Sequence, residues 1–78
     1  MPTVKKNPLY PNLEAELMRS GITRNELAKE LGFSRIALYL RLTGEIEFTL
    51  NEARIICAYI EKRSGRAQSL KNLFNMTI

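Results

Sequence analysis

Two identical helix-start signals, Thr23-x-x-Glu26 and Thr49-x-x-Glu52, constrain this chain more than any other feature. In such a box the threonine hydroxyl accepts from the backbone N–H three residues on, and the glutamate carboxylate accepts from the threonine N–H. Two of the donors that every helix start leaves unpartnered are thereby satisfied. After the first box, Leu27, Ala28 and Leu31 recur at helical spacing, and Gly32 follows as the positive-φ residue that ends a helix without a Cβ clash. Ser34 caps a second helix whose Leu38 and Leu42, four apart, point back at the first. The pattern over 23–44 therefore predicts two short helices with a tight turn at Gly32-Phe33-Ser34.

Ala28 is small enough to let the second helix cross the first at the usual interaxial distance of about 8–10 Å. The outer face of the second helix is then free to touch something else. This is the geometry of a helix-turn-helix, whose second helix enters the major groove of DNA.

The remaining stretches read as further helices around this pair. Residues 1–11 hold all three prolines and no helical period, so they read as a flexible arm. Lys5 and Lys6 in that arm either reach a phosphate backbone or a minor groove, or are ordinary solvated charges of a terminus. From Asn12, read as a cap, Leu13 and Leu17 mark a helix face that Met18 widens, with Glu14 and Glu16 in the first turns and Gly21 as the stop. Ile22 plugs the core. Beyond a loop at 45–48, the second box opens a helix whose Ala53, Ile56, Cys57 and Ile60 form a buried stripe. Ile55 and Tyr59 either widen that stripe or mark a partner surface. Residues 62–66 read as a basic loop, and Ser69 as the cap of a short last helix carrying Leu70, Leu73 and Phe74. The expected fold is all-α, five helices in one domain spanning 12–78.

Charge and composition narrow the function. The acids are all glutamate, and the net charge is +4 with a pI near 9.6, which suits a polyanionic partner. Positive charge gathers on residues 1–11, on 23–44 and on 63–78, whereas 12–22 and 45–62 are net negative. Histidine is absent, which removes the usual general base and the usual zinc sites. With one cysteine and four glycines scattered at 21, 32, 44 and 65, neither an intrachain disulfide nor a phosphate-cradling glycine loop can form. No catalytic residue, cofactor or metal is expected, so the chain reads as a non-enzyme. No run of about 18 apolar residues is present and the start lacks a signal-peptide core, which predicts a cytoplasmic protein.

Ala28, Gly32 and Leu38, spaced by four and then six, occupy the small, glycine and apolar positions of the lambda-repressor-like family, the Cro and phage-repressor (XRE-type) helix-turn-helix proteins. The run ITRNELAKELGFS resembles the family's wording around its turn, and LRLTGEIEFTLNEA resembles the segment that follows. The resemblance spans about residues 12–62 and is nearest to small Cro-like proteins of phages and prophages. It implies a compact five-helix DNA-binding domain in which residues 34–42 form the recognition helix. Carried over position by position, it implies Arg24 on a phosphate, Ser34 and Arg35 near the backbone and the first base edge, and Ile36, Tyr39 and Leu40 on the base-reading face. Arg41 and Thr43 end that helix as further contacts.

Two departures from the family pattern shape the expectation. Ile36, Tyr39 and Leu40 make the reading face apolar, able to pack on thymine methyls but unable to make bidentate base contacts, which leaves Arg35 for guanine. Glu45 and Glu47, in a loop often basic in the family, repel phosphate. The expected function is sequence-specific binding of double-stranded DNA by a Cro- or repressor-type transcriptional regulator of a phage or prophage. It would act as a homodimer on an inverted repeat with half-sites about 34 Å apart. Leu70, Leu73, Phe74, Met76 and Ile78 are the expected dimer surface, with an intrachain core as the other reading of Leu70 and Phe74. The alternative function is a protein-interaction module, antirepressor-like, using Ile36, Tyr39 and Leu40 as an apolar patch.

Overall fold

The helix boundaries follow from local chemistry in a computed structural model that describes residues 10–74. In order they are α1 (Pro11–Arg19), α2 (Arg24–Leu31), α3 (Arg35–Leu42), α4 (Leu50–Ser64) and α5 (Leu70–Phe74). There is no strand among the described residues, and the fold is all-α. Both capping boxes form: Glu26 N donates to Thr23 Oγ1 at 3.1 Å, and Glu52 N to Thr49 Oγ1 at 3.1 Å, each with the reciprocal bond from the threonine N–H to the glutamate. Ser34 Oγ accepts from Ala37 N at 3.1 Å. Gly32, at φ +75°, ends α2, and Phe33 N then donates to Ala28 O at 2.8 Å, so the corner is closed by backbone alone.

The interior is built from the stripes that the spacing predicts. Leu27 and Ala28 of α2, Leu38 and Leu42 of α3, and Ala53, Ile56 and Ile60 of α4 are all buried. Ile22 is buried between α1 and α2. Full burial of each leucine or isoleucine contributes about 1.5–3 kcal/mol, the main force holding the short helices together. Cys57 is buried and reduced in the same stripe, and burial foremost, with the nearby Glu61 charge, pushes its thiol above the ordinary range.

Several expectations at the two ends need correction. The helix α1 starts at Pro11, where a proline's missing N–H is one of the donors no helix start can pair. Asn12 therefore does not cap it. Its Nδ2 donates instead to Asn72 O at 2.9 Å and ties α1 to α5. Tyr10 also belongs to the domain rather than to an arm. Its ring meets Phe48 and Phe74 edge to face at 5.5 and 5.6 Å, and those two meet each other at 5.2 Å. Three rings distant in sequence thus pin the start of α1, the α3–α4 loop and α5 together. The remainder of the arm, with Lys5 and Lys6, lies outside the described residues, as do Met76 and Ile78.

Met18 does not widen the buried face: it is 81% exposed. Residues 62–64 are helical, since Gly65, at φ +77°, is the stop that the basic run itself does not provide. Tyr59 packs against the core, while Ile55 stays partly exposed. Leu73 and Phe74 are buried within their own chain and Leu70 packs beside them, so the part of the expected dimer surface that is described serves as intrachain core.

Among the described residues, Glu16 is the one charged residue that is buried. Its carboxylate accepts from Arg66 at 2.5 Å, Arg19 at 2.9 Å and Gln68 at 3.3 Å, a set that replaces the water it has lost. The Arg66 bond, first among these causes, holds its carboxyl below the usual range even though burial acts the other way.

Candidate nucleic-acid interface

What α3 shows to solvent is decided by what holds it from behind. Leu38 and Leu42 face the core, and Ala28, 3% exposed, lets α3 sit close on α2. Residues one turn apart on the opposite side are then uncovered. Ile36 is 70% exposed and Tyr39 61%. Arg35 is exposed beside them and makes no hydrogen bond or ion pair among the described residues.

The two ends of α3 differ. At its start, a shallow cleft between α2 and α3 is lined by Asn25, Glu26, Ala28, Lys29, Phe33, Ser34 and Arg35, its one acid being the Glu26 already engaged as the α2 cap and by Arg63. It places two cations, Lys29 and Arg35, on one open surface. Lys29 escaped the sequence reading because nothing in its local pattern separates it from a solvated helix charge; its position relative to Arg35 is set by the corner. Arg24 is also exposed, and pairs with Glu14 at 2.8 Å. A surface pair of this kind contributes about 0.2–1 kcal/mol, so an incoming phosphate can compete for Arg24.

At the other end the expected contact residues are engaged internally. Arg41 does not face outward. Its Nε donates to Glu52 Oε1 at 3.1 Å, one terminal nitrogen donates to Ala37 O at 3.0 Å, and its guanidinium lies 4.1 Å from the centre of the Phe33 ring. Its side chain is only 16% exposed. Thr43 donates its hydroxyl to Leu40 O at 3.2 Å as α3 ends. Leu40 is half-buried, and its carbonyl also accepts from Ile46 N at 3.2 Å, which folds the following loop back on the helix. Of the eight expected residues, Arg24, Ser34, Arg35, Ile36 and Tyr39 are exposed, whereas Leu40, Arg41 and Thr43 are half-buried.

The glutamates of the two capping boxes do a second job that spacing alone does not reveal. Glu52 caps α4 and grips Arg41 of α3. Glu26 caps α2 while accepting from the Tyr59 hydroxyl and pairing with Arg63, both on α4. Each box therefore fixes a helix start and a helix–helix angle at once. In the α3–α4 loop, Phe48 is buried while Glu45 and Glu47 stay exposed. Burial first, and the Glu47 charge second, push the Tyr10 phenol upward.

Among the described residues no group of histidine, cysteine or acidic side chains is placed to hold a metal ion, and no helix is long and apolar enough to cross a membrane. The chain matches no family model, no curated protein and no solved structure.

Proposed function

We propose that this chain is a sequence-specific double-stranded DNA-binding protein, a Cro- or repressor-type transcriptional regulator of a phage or prophage, with α3 as the recognition helix of a helix-turn-helix. The observation that carries this reading is the uncovered Arg35, at the leading end, with Ile36 and Tyr39 behind it, on a helix that Leu38 and Leu42 lock into the core. A helix about 10–12 Å across fits a major groove about 12 Å wide. Arg35, with a free guanidinium at the leading end, donates in bidentate fashion to guanine O6 and N7. Arg24 and Lys29, on α2, neutralise phosphates and set the register without reading sequence. Arg41 acts through the fold, holding α3 at its angle to α4.

One helix reads only a few base pairs, too few to single out a site among a genome's competitors, so the protein works as a homodimer on a palindromic operator. Its half-sites are spaced by about one helical turn, about 34 Å. Occupancy of a promoter by the dimer is the regulatory event, and it takes place in the cytoplasm, where Cys57 stays reduced.

A second reading is favoured by the same exposed side chains. Ile36 and Tyr39 form an apolar surface that suits a protein partner, as in an antirepressor. Salt separates the two. Selecting duplexes from a random pool and titrating the winners with salt should give a log–log slope of about −0.9 per phosphate contact. Arg35→Ala should cost about 1–3 kcal/mol at one base position while leaving the others unchanged. Failure to select any duplex, or binding that ignores salt, would turn the conclusion to the protein partner.

A further inference from the structure

With Arg41 turned to Glu52 and the Thr43 hydroxyl bonded to Leu40 O, the exposed surface of α3 carries one charged side chain, Arg35, at its first position and two large exposed side chains dominated by carbon, Ile36 and Tyr39, with the half-buried Leu40 between them. A helix meant to read several bases by hydrogen bonding would carry amides or further guanidiniums there. In the major groove the apolar feature that distinguishes one base from another is the C5-methyl group of thymine.

We propose that α3 is a methyl-reading helix: Ile36 and Tyr39 seat against pyrimidine C5-methyl groups next to the guanine held by Arg35, so that 5-methylcytosine serves at these positions where cytosine does not. This rests on the DNA-binding reading above and names the class of duplex it takes. The spacing supports it. Three helical residues advance about 4.5 Å along the axis, close to one duplex step of about 3.4 Å. Ile36 and Tyr39 therefore meet neighbouring steps rather than one base. Arg35 and Tyr39, four apart, share a side of the helix, which places the guanine contact alongside the methyl contacts. At 70% and 61% exposed, both side chains have surface to bury on binding, and neither is needed to hold the core.

The test uses the full chain and a selected duplex at fixed salt. Each thymine is replaced in turn by deoxyuridine, which removes the methyl and keeps every hydrogen bond. Binding should weaken about fourfold at one or two positions per half-site, the factor that corresponds to one buried CH₂ group. At those positions a 5-methylcytosine duplex should bind about fourfold more tightly than its cytosine counterpart. Ile36→Ala should bind the thymine and uracil duplexes alike at its own position while keeping the salt slope of the parent. Circular dichroism of that variant verifies that the fold is intact. Equal binding of thymine and uracil duplexes at every position, with salt-dependent binding preserved, overturns the methyl reading and leaves the DNA-binding reading standing. Absence of salt-dependent duplex binding overturns both.

Discussion

Replacing Arg41 by alanine removes an ion pair, a hydrogen bond and a ring contact from the back of α3. The pair with Glu52 is 3.1 Å long, between side chains 16% and 18% exposed, and so is largely sheltered from solvent. A hydrogen bond to a charged group in such a place contributes about 1.5–3 kcal/mol. The guanidinium over Phe33, at 4.1 Å, adds roughly 0.5–2 kcal/mol. The bond to Ala37 O adds little, because that carbonyl sits in a helical ladder. These contributions share atoms and do not sum, so the expected loss is about 2–3 kcal/mol. A chain of this length has about 4–12 kcal/mol in total, and the midpoint of thermal unfolding should fall by about 10–20 °C. Urea unfolding followed by circular dichroism measures it, and a cycle with Glu52→Gln isolates the pair. Arg41→Lys should recover only part of the loss, since an ammonium cannot stack its plane on Phe33. In DNA binding, Arg41→Ala should lower affinity without changing the salt slope, whereas loss of a phosphate contact would reduce that slope by about one. A stability loss under about 0.5 kcal/mol, the range of ordinary surface changes, would refute the reasoning. A reduced slope would place Arg41 on the DNA.

Two further outcomes follow from the fold. Glu16 has its carboxyl held below the ordinary value of 4.5, chiefly by the bond from Arg66, so the unfolded chain takes up the proton first. Its contribution is fully present above about pH 4.5 and is lost as pH falls through the folded value; unfolding midpoints measured from about pH 6 to pH 3 should show Glu16→Gln with a flatter acid limb than the parent. Gly32→Ala places a methyl group in open space but at φ +75°, so the cost is backbone strain alone, about 1–2 kcal/mol by urea unfolding. Gly32→Asn, which tolerates that region better, should lose visibly less, and equal losses for the two variants would contradict a purely conformational cause.

The helix count, the two capping boxes, the corner at Gly32 and the buried faces of α2, α3 and α4 were all legible in the sequence. Each depends on residues within four positions of one another, where hydrogen-bond reach and helical period are fixed by the backbone. The site was legible in part for the same reason. The period that turns Leu38 and Leu42 inward turns Ile36 away from them and leaves Tyr39 on the flank, whereas Arg35 shares the inward stripe by spacing and is exposed because it is the first residue of α3.

Two helix ends depart from the reading although a local residue marks each, Gly65 after α4 and Pro11 at the start of α1, because neighbouring residues offer a competing signal. The basic run at 62–64 looks like a loop until Gly65 is seen to end α4 one residue later, and Asn12 looks like a cap until Asn72 is seen to claim it. Arg41 shows the limit most plainly. By helical position it stands among contact residues, yet its long side chain can swing to either side of α3, and Glu52 and Phe33, from two other segments, decide which. The sequence by itself determined which stretches are helical and which stripe of each turns inward, because those are short-range properties of the backbone. Which charged side chains remain free on the outside was decided by tertiary structure, because a flexible cation takes the partner nearest in space, and that partner lies far away along the chain.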